Sequence, residues 1–326
     1  MEQRMSRDTI RRVMVTGGAG FIGSHSVDAL LERGFEVAVV DNFAPYAGGR
    51  REYVPAGVQL YEADIRTAAF EQAVASFQPD GILHLGAQPS VKVSTDDPWT
   101  DLQVNGAGML RLLRAAERYA VQHVVFASSG ATYGTVERLP VDETTPQRPE
   151  SPYGMTKLLG EWYLRYWRER GVNGTILRYG NVYGPRQDPH GEAGVIAIFA
   201  KRMLARQPVR IDWDGEQQKD YVYVGDVAHA NVEALLRARN DTFCIASGTG
   251  TSVNTIYTML AAELGYAVPV IRAPKRPGDI YRTWFDCTHA QRVLGWRATT
   301  PLREGLRRTL ASFGADAPHT AAPRAE

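Results

Sequence analysis

The chain has 326 residues, enough for one large α/β domain and a smaller lobe. Its 37 Lys+Arg against 36 Asp+Glu leave a formal charge of +1, which gives no electrostatic drive toward nucleic acid or an acidic membrane surface. Only two cysteines, Cys244 and Cys287, are present and neither has metal-type spacing, so no disulfide framework or zinc site is indicated.

Residues 1–12 are charged and lack an apolar h-region, and no apolar run reaches the ~20 residues of a membrane span. A reducing cytoplasmic setting is the expectation. The seven histidines are scattered, with no pair at ligand spacing, and no metal is expected.

Residues 13–31 organise the rest of the chain. A β-branched run (Val13, Val15) ends in Gly17, Gly20 and Gly23, and an apolar helical pattern begins at Phe21 and Ile22. The first glycine turns the chain out of a strand, the second lets a backbone approach a pyrophosphate, and the third lets helix and sheet pack closely. The new helix points its free N–H groups and positive end at phosphate. A second strand over 36–40 ends in Asp41, roughly the ~20 residues downstream where an acid meets the adenosine ribose. That carboxylate would repel a 2′-phosphate, so NAD is expected over NADP. Arg50 and Arg51 read as solvated loop charges.

Strands over 58–61, 82–85, 123–127 and 175–179 alternate with helices over 67–77, 97–120 (Pro98 near its start) and 151–170. Continuous apolar strands between helices predict a doubly wound, Rossmann-like parallel sheet, with strand C-terminal ends along one crevice. Beyond a Gly/Pro/Asp-rich loop at 181–194, short helices (195–205, 227–237, 253–264) and short strands (209–211, 221–224, 242–245) predict a smaller C-terminal substrate-binding lobe. The expected division is 1–180, 181–314 and a disordered Ala/Pro-rich tail at 315–326.

Tyr153 and Lys157 stand four residues apart on one face of the second long helix. A free phenol, with pKa near ~10, is too weakly acidic to serve as a base at neutral pH. A nearby ammonium and a positive nicotinamide ring would lower it, allowing general base and then general acid work. Ser129 is the expected third member, with Ser128 and Thr132 as neighbours able to displace it.

The chain here resembles the extended short-chain dehydrogenases/reductases, and among them the NAD-dependent nucleotide-sugar 4-epimerases typified by UDP-glucose 4-epimerase. The resemblance runs over about 13–296. It is carried by Thr16-Gly-Gly-Ala-Gly-Phe-Ile-Gly23, His84-Leu-Gly-Ala-Gln88, Val104-Asn105, Ser128-Ser129, Tyr153-x-x-x-Lys157 and Leu177-Arg-Tyr-Gly-Asn-Val-Tyr-Gly-Pro-Arg186. Asp220-Tyr-Val-Tyr-Val-Gly-Asp226 and Arg276-Pro-Gly-Asp279 complete the set.

The resemblance implies that Asp64 and Ile65 hold the adenine, and that Leu85, Gly86, Ala87 and Asn105 line the cofactor's ribose and pyrophosphate. Lys157 would bond the nicotinamide ribose; Asn42 and Tyr179 complete the cofactor set. Asn181 and Arg276 would grip the substrate diphosphate, with Asp279 near the uridine ribose; Ser129, Thr132, Val195, Lys219 and Thr283 complete the substrate set. Lys219 stands where relatives carry Arg, and Asp212-Trp213 where they carry Phe-Gly beside the uracil. Gly180 would open room near the sugar, and Thr283 at the gate position would admit bulkier sugars. Asp226 reads as a helix N-cap.

The implied reaction inverts C4 of a UDP-sugar through a transient 4-keto form. UDP-glucose/UDP-galactose is the first substrate pair, with UDP-glucuronate or UDP-N-acetylglucosamine as alternatives. A nucleotide-sugar 4,6-dehydratase is the further alternative, disfavoured because Gly130-Ala131 follow Ser129 where dehydratases carry Asp-Glu. A homodimer through helices near 97–120 and 151–170 is also implied.

Overall fold

The computed structural model describes residues 10–189, 194–275 and 280–315. Seven strands form the main sheet: β1 (Arg12–Thr16), β2 (Glu36–Asp41), β3 (Gln59–Glu62), β4 (Gly81–His84), β5 (His123–Ser129), β6 (Asn173–Tyr179) and β10 (Thr242–Ile245). Their order is β10-β6-β5-β4-β1-β2-β3, and every pairing is parallel. A parallel sheet covered on both sides is built from strands with near-continuous apolar runs. β1 follows that rule: Val13 and Val15 enter one core layer and Met14 the other.

The first layer packs α1 (Phe21–Glu32), α8 (Val224–Arg237) and α10 (Thr288–Leu294) on the sheet through Val27, Leu30, Val227, Leu235 and Leu294. The opposite layer packs α2 (Ala68–Phe77), α5 (Gly108–Arg118) and α6 (Pro152–Arg168) through Phe70, Phe77, Leu112, Leu113 and Leu164. A third core, containing Ile196, Phe199, Met203, Ile256 and Leu260, belongs to the lobe. There α7 (Val195–Leu204), α9 (Val253–Leu264) and α11 (Leu302–Ala315) surround small sheets. In these, β9 (Gln218–Tyr223) pairs with β7 (Asn181–Tyr183), β11 (Gly250–Ser252) and β13 (Arg282–Thr283), while β8 (Arg210–Asp212) pairs with β12 (Ile271–Ala273).

Three expectations need correction. The helix expected over 97–120 is preceded by α3 (Val91–Asp96), capped by Ser90, and is itself interrupted. Asp97 caps a short α4 (Pro98–Asp101), and a wider π-helical turn over Leu102–Ala107 precedes α5. The boundary at residue 180 is not a single cut. β10 lies beside β6 in the main sheet, and α8 and α10 pack in its first layer, so the chain enters the lobe, returns and leaves again. Finally, α11 adds a helix to those expected, and its Leu306 and Leu310 bury against the lobe; residues 316–326 of the expected tail lie outside the described residues.

Leu113 is fully buried between α5 and the sheet. Leu113→Ala should lower unfolding free energy by about 2–5 kcal/mol, read as a lower urea midpoint with an unchanged slope.

Candidate active site

The strand order reverses between β1 and β4, so the turns leaving these neighbours diverge to opposite layers and leave a crevice. Gly17 takes φ +68°, and a Cβ there would stand 2.8 Å from Gly86 N. A Cβ on Gly23 would stand 2.0 Å from Gly17 O, so helix and turn touch only because both residues lack side chains. Gly20 is the N-cap of α1 and supplies no side-chain cap. A Cβ on it would press on Gly17 O at 3.2 Å, and the helix start borders open space on its other side.

That space is a cavity of about 350 Å³. Of the expected cofactor set, Gly17, Gly20, Phe21, Ile22, Gly23, Asp41, Asn42, Asp64, Ile65, Leu85, Gly86, Ala87, Tyr153, Lys157 and Tyr179 all line it. Asp41 accepts from Ala19 N at 3.1 Å and Phe43 N at 2.9 Å, while burial pushes its carboxyl above the usual range. Arg50 and Arg51 are turned elsewhere, toward Glu52 and the Tyr53 ring, and toward Glu62 and the Phe43 ring. Asn42 donates to Asp64 Oδ2 at 3.0 Å, and Asp64 is held below its ordinary pKa chiefly by Arg66.

Asn105 is the exception in this set. Its Oδ1 accepts from Gln88 N at 2.9 Å, and its Nδ2 donates to Gln88 O and Asp101 Oδ1 at 3.1 and 2.9 Å. The amide therefore braces the loop after β4 from behind, and its neighbour Val104 is the one that lines the cavity.

Tyr153 and Lys157 project from the first turns of α6, whose start is fixed by Ser151 accepting from Gly154 N at 3.1 Å. Lys157 Nζ donates to Ala127 O at 2.9 Å and lies 5.7 Å from the Tyr153 ring centre. Ser129 stands beside the Tyr153 phenol, and both line a neighbouring cavity. Ser128 is ruled out as the third member because its hydroxyl is buried and donates to Glu161 Oε1 at 2.6 Å.

The expected lowering of the phenol is not found in the protein alone. Burial pushes Tyr153 up to about 12, with the Ser129 hydrogen bond opposing and the Asp101 charge adding to the rise. Burial also pushes the Lys157 ammonium down to about 8, opposed by Asp101. Burial outweighs the four-residue spacing, and activation of the phenol needs a further positive charge nearby.

A second cavity of about 290 Å³ adjoins the first and shares Phe21, Ile22, Pro89, Ser128, Tyr153, Tyr179 and Gln187 with it. Ser129 and Asn181 line it as expected. Thr132 does not: it is buried and donates to Ser129 O at 2.9 Å, closing the turn that presents Ser129. Val195 packs on the lobe core, while its neighbours Gly194 and Ile196 face the cavity. Lys219 donates to Ile280 O at 2.9 Å, and Thr283 is buried beside it on β13; neither is among the described residues that line these two cavities.

Arg276 and Asp279 lie outside the described residues. Trp213 sits against Tyr281, ring centres 4.7 Å apart, with Lys275 Nζ 4.4 Å from its ring centre, away from both cavities. Gly180 lines the second cavity, and a Cβ there would press on Ala246 Cβ and Asp220 O at 3.0 Å. Asp226 is not an N-cap; it sits in the first turn of α8 and accepts from Thr299 and Thr300, anchoring the chain ahead of α11.

Sequence reasoning missed Tyr46, Ala47 and Gly48, which follow β2, and Gln187 and Asp188, which follow β7. The two loops close over the dinucleotide-sized cavity from opposite sides, and Asp188 Cβ lies 3.2 Å from where a Gly48 side chain would begin. Their only sequence signal is glycine and proline content, common to many loops.

Residues 13–246 match the family described as NAD dependent epimerase/dehydratase. A UDP-glucose 4-epimerase of Mycolicibacterium smegmatis is 41% identical over 310 residues, covering 93% of this chain and 98% of that one. A UDP-glucose 4-epimerase of Thermotoga maritima, solved with UDP-glucose, superposes with a TM-score of 0.91 at 42% identity, covering 94% and 99% of the two chains. That of Thermus thermophilus, solved with NAD, gives 0.88 at 45% identity, covering 93% and 98%. With the glycine turns at the strand switch and the Tyr153–Lys157 pair in place, the chain belongs to the NAD dependent epimerase/dehydratase family.

Proposed function

We propose that this chain is an NAD-dependent UDP-sugar 4-epimerase with UDP-glucose and UDP-galactose as its substrate pair. The observation that carries the reading is the Tyr153 phenol at the junction of the two cavities, with Ser129 beside it and Lys157 behind it. The residues fit the dinucleotide: an uncapped helix start suits its phosphates, and Asp41 suits a ribose without 2′-phosphate. Gln187 Oε1 is buried between the cavities with no partner among the described residues, an acceptor left for a bound molecule.

NAD, when bound, supplies reversible hydride acceptance at the sugar's C4. The chain supplies the rest. Tyr153 takes the 4-hydroxyl proton and later returns it, and Ser129 shares that proton. Lys157, fixed by Ala127 O, holds positive charge beneath the phenol. Asn181 lines the second cavity, where the substrate's diphosphate would sit. The dehydratase alternative loses support at Gly130 and Ala131, which place no acidic side chain beside Ser129.

The chain is further proposed to work as a homodimer. Trp99, Leu102, Met155, Trp162 and Tyr166 are exposed large apolar side chains, Trp99 at 66% and Trp162 at 58%, on the α4 and α6 region. Such a set on one face marks an association surface.

Purified protein given UDP-glucose should form UDP-galactose, resolved as C4 epimers, and parallel incubations with UDP-glucuronate and UDP-N-acetylglucosamine should turn over more slowly. Failure to invert any of the three ends the reading. Tyr153→Phe should retain NAD yet lose about 10²–10⁴-fold in kcat, measured at saturating substrate. Wild type should sediment as a dimer and Trp162→Glu as a monomer; a wild-type monomer would remove the assembly proposal alone.

A further inference from the structure

Asp101 closes α4, immediately before the π-helical turn, and is completely buried. Its Oδ1 accepts from Gln88 Nε2 at 2.8 Å and Asn105 Nδ2 at 2.9 Å, and its Oδ2 accepts from Thr156 Oγ1 at 2.6 Å. Both amide orientations are fixed by backbone donors: Ser90 N donates to Gln88 Oε1, and Gln88 N to Asn105 Oδ1. The two amides donate to Oδ1 and the Thr156 hydroxyl bonds Oδ2; burial pushes the Asp101 carboxyl above its usual range, opposed by the Thr156 and Gln88 hydrogen bonds and by the Lys157 charge. A buried carboxylate with no cation in direct contact is costly unless it neutralises charge nearby.

That charge is on the next element. Thr156 lies between Tyr153 and Lys157 on α6, and Lys157 is buried with its ammonium hydrogen-bonded to the neutral Ala127 O. Gln88 follows the Gly86–Ala87 turn that lines the dinucleotide-sized cavity. One carboxylate thus joins the cavity's loop, the π-helical turn and the Tyr153–Lys157 helix.

We propose that Asp101 is a positioning residue for the acid/base pair: its carboxylate holds the Lys157 side chain as an ammonium and clamps the Thr156 turn of α6 to the Gln88 loop. This rests on the epimerase reading for its catalytic meaning but not for its electrostatics. The Asp101 charge opposes the fall of Lys157 and raises Tyr153, so both groups hold their protons to higher pH than they would without it. The other groups turned toward the pair are His84 on β4, Tyr179 on β6 and Ser129 on β5. His84, held near pKa 3 by burial, bonds Thr16 Oγ1; the Tyr179 hydroxyl donates to Asn231. One turn further along α6, Glu161 is neutralised by Arg178. Asp101 is the one anion among these that faces Lys157.

Asp101→Asn is isosteric and keeps the acceptor oxygen for Gln88 and Asn105, while Thr156 Oγ1 can donate instead to Tyr153 O, already 3.1 Å away. The chain has five lysines, so selective carbon-13 labelling at Cε resolves each ammonium, and Lys157→Met identifies the Lys157 resonance. Wild-type Lys157 should titrate near 8 and Asp101→Asn should move that midpoint down by about one unit. The alkaline limb of kcat should move with it. A midpoint unchanged in folded Asp101→Asn, with only a lower melting temperature, overturns the proposal.

If Asp101→Asn does not fold, the wild-type Lys157 resonance still decides. It should show a second, smaller inflection at acid pH as Asp101 takes its proton, and a single inflection would overturn the assignment. Because the titration needs no turnover, an inactive wild type would sink the epimerase reading while leaving this result intact.

Discussion

Two backbones meet at the point where β1 and β4 part, and the site depends on that contact. Gly17 and Gly86 approach so closely that a methyl group on Gly17 would force the two turns apart, and one on Gly86 would crowd Thr16. The contact holds α1 with its uncapped start aimed into the crevice, and it places the loop after β4 along the crevice floor. Everything polar that reaches the cavity is measured from this junction: Asp41 from β2 on one side, Ser129 and Tyr153 from beyond β4 on the other. Parallel pairing on both flanks makes the junction rigid, because each strand is locked by neighbours at full register.

Burial then sets the chemistry of what is placed there. Water exclusion drives the phenol toward its neutral form and the ammonium toward its own, so the two forms needed for proton abstraction are both disfavoured in the protein alone. A site of this kind is balanced by fixed partners, and the partners are graded by distance from the cavity. Ser129 touches the phenol, Asp101 acts through the turn beneath it, and the Glu161–Arg178 pair anchors Ser128 one layer further back. Each layer orients the one in front of it.

Much of this is legible in the sequence. The glycine spacing, Asp41 and the Tyr153–Lys157 pair are local patterns with a mechanical reason for each residue, and the strands between them have apolar centres, so fold and cavity follow. Side-chain direction is what a motif does not carry. Its position puts Asn105 on the cavity wall, yet the amide is consumed by the Gln88 backbone; Thr132 stands among the substrate residues, yet its hydroxyl closes a turn. Neither outcome is encoded in spacing, because both are decided by which backbone group lies within hydrogen-bond reach after folding. The loops at Tyr46–Gly48 and Gln187–Asp188 are a stronger case, since they meet only across the finished crevice.

The chain's path through the lobe bears on how the site stays closed. α8 leaves the lobe to pack against α1, and Arg33 at the far end of α1 pairs with Glu233 at 2.8 Å. Tyr179 at the end of β6 donates to Asn231 on α8, which donates to Ser26 on α1. Nearer the cavity, Arg186 reaches Asp28 at 2.8 Å and His25 donates to Pro185 O at 3.0 Å. The main-sheet layer is thus braced by buried hydrogen bonds, and the chain after β7 is tied to it by part-buried ones. A lobe that swung freely about one linker would break Arg186–Asp28 and His25–Pro185, the contacts that tie the chain after β7 to α1. The loops at Tyr46–Gly48 and Gln187–Asp188 lie beyond these ties and line the first cavity.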